Sequence, residues 1–280
     1  MRYIEINAEL HSEKEVILNN FLGSTVRGAI ISAISKLYCT HKDLQCTACN
    51  EGVTCPNKIL FNMKSYMKND RVSNTIVINA FQKCGTNIVL DIILFGIGIT
   101  AAETIKDILL NGIYLGKNRE QFRADKIYFL NGNKQYEKLV LAKTKNQTEN
   151  TSRVVVDFIS PAHIQKECMA LDFSNFLKCC MYRYMSVNQL TQSEPEIDFH
   201  GLLENAKSIK TIERTIKIEN LERFSGRTQV KNEVHCIKGR LVYEGELNKY
   251  MNILRLVEVV NIGKWSSMGL GHIRITSERI

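Results

Sequence analysis

The chain has 280 residues, of which 44% are hydrophobic, and this composition excludes a largely disordered protein and favours two domains. The longest apolar run, Ile92 to Ala102, is too short to cross a bilayer, and no basic leader with an apolar signal core opens the chain, so we expect a cytosolic protein without a membrane partner. The formal net charge of +8 favours a polyanionic partner, although a solvated basic surface explains it equally well.

Periodicity predicts the elements of the first half of the chain. Alternating apolar and polar residues predict half-buried strands, and apolar residues at helical spacing predict amphipathic helices. In chain order, these elements are a strand at 2–10, a helix from Ser24 to Leu37, strands at 75–81 and 86–96, a helix after Thr100 and a strand at 122–130. For the second helix, Thr100 and Glu103 predict a capping box at the start, and Gly112 predicts the end.

The same order of elements recurs after a polar stretch. The segment AKTKNQTENTSR, 142–153, contains no apolar residue after its first, which is typical of a linker. The predicted elements beyond it are a strand at 153–159, a helix at 173–184, strands at 208–218 and 235–245, a helix at 247–257 and a strand at 272–276. Two βαββαβ units predict an α+β protein with tandem ferredoxin-like domains at 1–145 and 153–280, joined by a linker at 146–152.

A cysteine cluster follows the first predicted helix. Cys39, Cys46, Cys49 and Cys55 include one C-x₂-C pair, and a reducing cytosol disfavours disulfides among them. Four thiolates suit a structural tetrahedral zinc site, with an iron–sulfur cluster, a redox-labile pair and simple burial as alternatives. His41 could replace Cys39 or Cys55 as a ligand, in which case its imidazole could not transfer a proton.

A glycine-rich segment, NIGKWSSMGLGHIRI at 261–275, includes the last predicted strand. Its glycines are Gly263, Gly269 and Gly271. These residues permit positive φ and close backbone approach, and exposed N–H groups beside Lys264 would suit a phosphate. A turn with a purely structural role is the alternative.

Three parts of the sequence resemble one family. The segment GRLVYEGELNKYMNILRLVEVVNIGKWSSMGLGHIRI resembles the C-terminal region of the CRISPR precursor-RNA processing endoribonucleases, a branch of the RAMP superfamily. FLGSTVRGAIISAISKLYC, with CTAC and CPNKILFN, is similar to the N-terminal region of a subgroup with an N-terminal cysteine cluster. DFISPAHIQ and the following helix are similar to the start of the family's second domain. The resemblance implies two ferredoxin-like domains and an enzyme that cuts CRISPR repeat RNA.

The resemblance also implies a mechanism in which the ribose 2′-hydroxyl attacks the adjacent phosphate with no cofactor for the chemistry. Such a reaction needs a base, an acid and a cation. The family's histidine often lies at or just beyond the end of the first helix, a position that His41 occupies here. Tyr38 would then orient the reacting groups, and Lys42 would steady the phosphate. His163 is the second candidate, at the end of the second domain's first strand, with a buried, hydrogen-bonded histidine as the alternative.

The predicted RNA contacts are basic residues and residues of the glycine-rich segment. They are Arg27, Arg227, Arg240, Gly263, Lys264, Trp265, Ser266, Gly269, Gly271 and Arg274. Each side chain among them has an ordinary surface role as the alternative, and Trp265 either stacks on a base or packs onto the core.

Two other functions stay open. A noncatalytic RAMP subunit would bind guide RNA in a CRISPR effector complex and would have other subunits of that complex as partners. The predicted elements include no long, thumb-like hairpin, which argues against this function. A zinc-stabilised ferredoxin-like module with only a protein partner is the third hypothesis, and the extent of the family resemblance argues against it.

Overall fold

The structure, a computed structural model, describes residues 1–19, 21–41, 49, 54–132, 134–144, 151–190, 197–225 and 230–279, except the side chains of 223–232. The chain forms two compact units, 1–143 and 144–280. Within the described ranges, no helix is long and apolar enough to span a membrane.

The first unit combines an antiparallel sheet with four helices among its described residues. Its strands are β1 (Arg2–His11), β2 (Ile76–Cys84), β3 (Asn87–Phe95), β4 (Ile113–Leu115), β5 (Glu120–Asn131), β6 (Lys134–Tyr136) and β7 (Ala142–Lys143). Its helices are α1 (Leu22–Tyr38), α2 (Pro56–Phe61), α3 (Met63–Met67) and α4 (Ala102–Asn111). The strand order β2-β3-β1-β5-β4 contains the ferredoxin-like arrangement, in which the first strand lies between the third and the last.

The core of the first unit lies where α1 packs on the sheet. In β1, alternate residues such as Ile4 and Ile6 are fully buried. On α1, Val26, Ile30 and Ile34 are buried at intervals of one helical turn. The predicted helix is therefore confirmed, although Leu37, the last residue of the predicted range, is 61% exposed.

The start of α4 differs from the prediction. Thr100 belongs to a 3₁₀ turn, Gly96–Ala101, and its hydroxyl donates to the Ile97 carbonyl at 2.8 Å, so the capping box is wrong. A Cβ at Gly98 would lie 2.4 Å from the Thr75 hydroxyl, so this turn packs closely against Thr75, and α4 begins without a side-chain cap. Gly112 ends the helix as predicted, with a φ of 94°.

The second unit repeats the topology with a smaller sheet. Its strands are β8 (Arg153–Phe158), β9 (Lys210–Ser225), β10 (Val230–Glu244) and β11 (Ile273–Glu278), and its helices are α5 (Phe173–Asn188), α6 (Phe199–Ala206) and α7 (Met251–Val260). The order β11-β8-β10-β9 places the first strand of the unit between its third and its last, as in the first unit. The prediction of tandem ferredoxin-like domains is confirmed.

Aspartate caps begin two helices of this unit. The Asp172 carboxylate accepts from the Asn175 backbone N–H at 3.1 Å, and the Asp198 carboxylate accepts from the Gly201 N–H at 2.9 Å. Each cap satisfies a backbone donor that would otherwise lack a partner in the first turn. After its cap, α5 buries Phe173 against Tyr243 of β10, with ring centroids 5.0 Å apart.

The β9–β10 hairpin extends beyond the rest of its sheet. Strand β8 pairs only with Arg240–Glu244 of β10, whereas β9 pairs with β10 from Lys210 to Ser225. The expectation that the chain lacks a long hairpin is therefore wrong. Backbone pairing along β9 and β10 holds this extension together, and Val234, Cys236 and Ile237 of β10 are buried within it.

Candidate active site

A cavity of about 620 Å³ lies in the first unit at the C-terminal end of α1. Its walls come from the end of α1, from α2 and from the 3₁₀ turn before α4. This volume is in the range of sites that bind small molecules or parts of larger ligands.

Two of the predicted catalytic residues line this cavity. Tyr38 is the last residue of α1, is 44% exposed, and shares the cavity wall with the exposed His41. The chain leaves the helix at Cys39, whose backbone is extended. The structure therefore brings Tyr38 and His41 to one surface, while Lys42 lies outside the described residues.

Lys58 is a cation on the same wall that the sequence analysis missed. It is only 9% exposed, and its ammonium group donates to the Cys49 carbonyl at 2.6 Å. Pro56 at the first position of α2 was a usable signal, because proline favours that position and so predicts a helix start here. A helix that starts at Pro56 places Lys58 in its first turn, on the side of Cys55.

The described cysteines of the cluster also line the cavity. Cys39 follows α1, Cys55 precedes α2, and Cys49 is held by Lys58, while Cys46 lies outside the described residues. Among the residues that the structure describes, no three His, Cys, Asp or Glu side chains are grouped so that they could hold a metal ion. The zinc site therefore stays a prediction.

The glycine-rich loop of the second unit depends on its glycines. Gly263, Gly269 and Gly271 have φ values of 76°, 86° and 70°, so the predicted positive φ is confirmed at each. A Cβ at Gly263 would lie 2.5 Å from the His163 carbonyl oxygen, and one at Gly271 would lie 2.0 Å from the Ile262 carbonyl oxygen. Glycine is therefore required at both places for the backbones to approach.

Arg183 anchors the start of this loop and was not predicted from the sequence. Its guanidinium donates to the Val260 carbonyl at 2.8 and 3.1 Å and to the Asn261 carbonyl at 3.2 Å. Burial lowers the pKa of Arg183 to about 9, which leaves the side chain charged at neutral pH. The cation satisfies carbonyl groups at the C-terminal end of α7, where the helix dipole is negative.

His163 and Lys264 lie together in the second unit. The Lys264 backbone N–H donates to the His163 carbonyl at 2.7 Å, and the Lys264 side chain is exposed. The imidazole of His163 contacts the His235 carbonyl through Nδ1 at 2.9 Å, and its ring centroid lies 5.5 Å from that of Trp265. His163 is half-buried, so part of the residue is accessible to solvent.

The remaining predicted RNA contacts differ in how accessible they are. The Arg27 guanidinium lies 5.1 Å from the Phe61 ring centroid and is half-buried. Ser266 is only 5% exposed, so an RNA contact through its hydroxyl requires the loop to open. Arg227 lies outside the described residues.

Arg240 of β10 and Arg274 of β11 lie on the two strands that flank β8 in the sheet of the second unit. Both stand opposite Asp157 in the strand register, and Asp157 pairs with Arg240 at 2.7 Å and raises the pKa of that guanidinium. Arg274 is exposed. Its charge, together with burial as the larger cause, lowers the pKa of His272 to about 4, so that imidazole is neutral at pH 7.

Comparison with known families finds a match in each half of the chain. Residues 156–273 match the family model of the CRISPR-associated endoribonuclease Cas6, and residues 1–153 match AF_1859_N, a family model described as an N-terminal domain. The second unit therefore carries a Cas6 endoribonuclease domain. The predicted family is thus confirmed, whereas the subgroup with a cysteine cluster stays a prediction. No curated protein sequence matches the chain.

Solved structures of Cas6 proteins share the fold over the whole chain. Thermus thermophilus Cas6 (TTHB231) has a TM-score of 0.62 at 8% identity and covers 98% of each chain. A Cas6 (TTHA0078) product complex has a TM-score of 0.59 at 15% identity and covers 99% of this chain and 100% of the other. A Cas6-related protein from Pyrococcus furiosus has a TM-score of 0.51 at 13% identity and covers 99% of both chains.

Proposed function

We propose that this Cas6 protein cleaves CRISPR precursor transcripts within each repeat, by attack of a ribose 2′-hydroxyl on the adjacent phosphate and without a metal in the chemistry. The observation that carries the proposal is the Cas6 family match over 156–273, the part of the chain that contains the glycine-rich loop. The shared fold with the Cas6 (TTHA0078) product complex and substrate mimic complex supports it.

The proposed reaction moves two protons. The 2′-oxygen bonds to phosphorus while the bond from phosphorus to the 5′-oxygen breaks, which leaves a 2′,3′-cyclic phosphate on one product. A base takes the proton of the 2′-hydroxyl, and an acid supplies one to the leaving 5′-oxygen. An imidazole can act as the base or as the acid near neutral pH, and we assign one of these two roles to His41.

The cavity offers groups for the other requirements. Tyr38 lies on the same wall as His41 and is placed to orient the ribose or the phosphate. The charge that develops on the phosphate oxygens needs a cation, for which Lys42 is the sequence-based candidate and Lys58 the candidate on the cavity wall. His163 is the reserve candidate for proton transfer.

The structural zinc is a separate proposal. Cys39, Cys49 and Cys55 line one cavity, and together with Cys46 they make four thiolates that would fix the chain after α1. In the cytosol, where we place the protein, thiols stay reduced and competent to bind metal. Elemental analysis should find about one zinc per chain in the parent and much less in Cys55→Ser. A parent protein that contains no metal would contradict this proposal.

A noncatalytic RAMP subunit that binds guide RNA with other subunits of an effector complex is the second candidate. The long β9–β10 hairpin favours this candidate. The expected absence of such a hairpin had been an argument against a noncatalytic subunit. The family match to an endoribonuclease favours cleavage.

A cleavage assay separates the two functions. Purified protein is incubated in EDTA with labelled repeat RNA, and in parallel with the same RNA carrying a 2′-deoxy substitution at the cut site. We expect one specific cut in the all-ribose RNA and none in the substituted RNA. Binding without cutting would favour the noncatalytic subunit, and cutting of the substituted RNA would exclude the 2′-hydroxyl mechanism.

A further inference from the structure

Three segments of the second unit meet at His163. We call residues 160–164, which follow β8, the strap. The strap is fixed to β10 by reciprocal backbone hydrogen bonds between Ala162 and Ile237, at 2.8 and 2.9 Å. On its other side, the Pro161 carbonyl accepts from the Gly271 N–H at 2.8 Å, and the Ser160 hydroxyl donates to the Gly269 carbonyl at 2.6 Å. The strap therefore has a fixed position between the hairpin and the glycine-rich loop.

The hydrogen bond of the His163 ring determines its tautomer. Nδ1 lies 2.9 Å from the His235 carbonyl oxygen, which can only accept, so Nδ1 carries a hydrogen. In the neutral imidazole, Nε2 then has a lone pair and accepts hydrogen bonds. Nε2 has no hydrogen-bond partner within the part of the chain that the structure describes. An acceptor of fixed orientation is thus left for a ligand that carries a hydroxyl or an N–H.

Trp265 is held next to this ring in an uncommon conformation. Its φ of 59° is left-handed, a region that costs free energy for a residue with a side chain. The Met268 N–H donates to the Trp265 carbonyl at 2.8 Å and closes the turn that keeps it there. The two half-buried rings lie 5.5 Å apart with their planes tilted by 31°.

Lys264 adds a positive charge to the same surface. Its side chain is exposed, while its backbone is fixed to the strap by the bond to the His163 carbonyl. An aromatic ring, a cation and an oriented acceptor are the groups that recognise the base, the phosphate and the 2′-hydroxyl of single-stranded RNA.

We propose that His163, Lys264 and Trp265 form a ribonucleotide site that distinguishes RNA from DNA. Trp265 stacks on a base, Lys264 binds a neighbouring phosphate, and Nε2 of His163 accepts a hydrogen bond from the ribose 2′-hydroxyl. The inference rests on the proposed function, because the RNA bound here is the substrate of the cleavage reaction. It assigns His163 to binding and not to proton transfer.

Trp265 is the only tryptophan of the chain, so its fluorescence reports on this site directly. The probes are an oligouridylate of about ten nucleotides and the matching oligodeoxyuridylate, which differ only in the 2′-hydroxyls. We expect both to quench the emission of Trp265, with the RNA bound about fivefold more tightly, as one net hydrogen bond predicts. Absence of quenching by the RNA would overturn the proposal.

His163→Phe keeps a ring beside Trp265 and removes the acceptor. Its affinity for RNA should fall to that for DNA, whereas the exposed control His200→Phe should keep the fivefold difference. A fivefold preference for RNA that persists in folded His163→Phe would overturn the role of Nε2.

Lys264→Ala provides a second test if His163→Phe does not fold. Affinity for both oligonucleotides should fall, and the dependence of log affinity on log salt should decrease by about one unit. An unchanged salt dependence would overturn the phosphate contact. Cleavage of repeat RNA is measured in the same preparations. If the parent protein cleaves the RNA but its tryptophan emission is not quenched, the site is contradicted and the proposed function is not.

Discussion

The cavity at the end of α1 and the glycine-rich loop of the second unit are built differently. The cavity wall presents side chains with chemical reactivity, namely Tyr38, His41 and the cysteines, at a place where the chain leaves a helix. The loop is fixed by backbone hydrogen bonds to the strap and by Arg183 at the end of α7. We propose that this difference reflects a division of work, in which the first unit supplies proton transfer and the second binds RNA.

The largest effect should follow from removing the imidazole of the cavity. General acid–base catalysis contributes a factor of about 10² to 10⁴, so His41→Ala should lower the single-turnover rate at least tenfold and leave affinity for repeat RNA nearly unchanged. The matched control is His200→Ala, on an exposed face of α6. A rate for His41→Ala equal to that of the parent would remove the first unit from proton transfer.

Glycine substitutions should show that the loop of the second unit requires its glycines, whereas α1 of the first unit does not. An alanine at Gly271 would bring its Cβ to 2.0 Å from a backbone oxygen at a φ of 70°, so the loop must shift. We expect Gly271→Ala to lower the free energy of unfolding by about 3 kcal/mol. Gly28→Ala, in α1 with nothing within 4 Å of the added Cβ, should instead raise it by about 0.5–1 kcal/mol. Both free energies of unfolding are measured by thermal or denaturant unfolding. Equal changes for Gly271→Ala and Gly28→Ala would contradict this difference between the loop and α1.

The anchor of the loop can be tested through Arg183. Arg183→Leu leaves the Val260 and Asn261 carbonyl groups without the guanidinium, which should cost about 2 kcal/mol of stability. The second unit should also exchange its loop amide hydrogens faster, as measured by hydrogen–deuterium exchange. A stable variant with unchanged exchange at 261–272 would show that other contacts fix the loop.

The smallest effect concerns a carboxyl pair on β1 and β3 of the first unit. Burial, with a further contribution from Asp91, raises the pKa of Glu5 from 4.5 to about 7. The folded state therefore binds the proton of Glu5 more tightly than the unfolded state does. The stabilisation that results is fully present below pH 4.5 and is lost as the pH rises through 7. Glu5→Gln should therefore stabilise the protein at pH 8 by about 1–2 kcal/mol and change little at pH 4.

The control for this prediction is Glu9→Gln on the same strand. Glu9 is half-buried and pairs with Lys83 at 3.0 Å, which lowers the pKa of its carboxyl, so its replacement should not reproduce the pH dependence. Equal unfolding curves for parent and Glu5→Gln across this pH range would contradict the raised pKa.

Local patterns in the sequence were sufficient to predict the fold and the loop conformation. The burial of Ile30 and Ile34 follows from helical spacing, and the positive φ of Gly271 follows from its place in a glycine-rich turn. The hairpin extension was not predicted, because none of the described β9 side chains from 211 to 222 is buried and that strand therefore has no apolar face. The buried Lys58 was missed because its role depends on Cys49, nine positions away, and charged residues are usually exposed.

The division of work is tested most directly with two variants, His41→Ala and Lys264→Ala. For each variant, the saturating single-turnover cleavage rate and the dissociation constant for repeat RNA are measured. Our account predicts that His41→Ala loses rate and keeps affinity, and that Lys264→Ala loses affinity and keeps most of the saturating rate. The reverse pattern, with the rate lost only in Lys264→Ala, would contradict it.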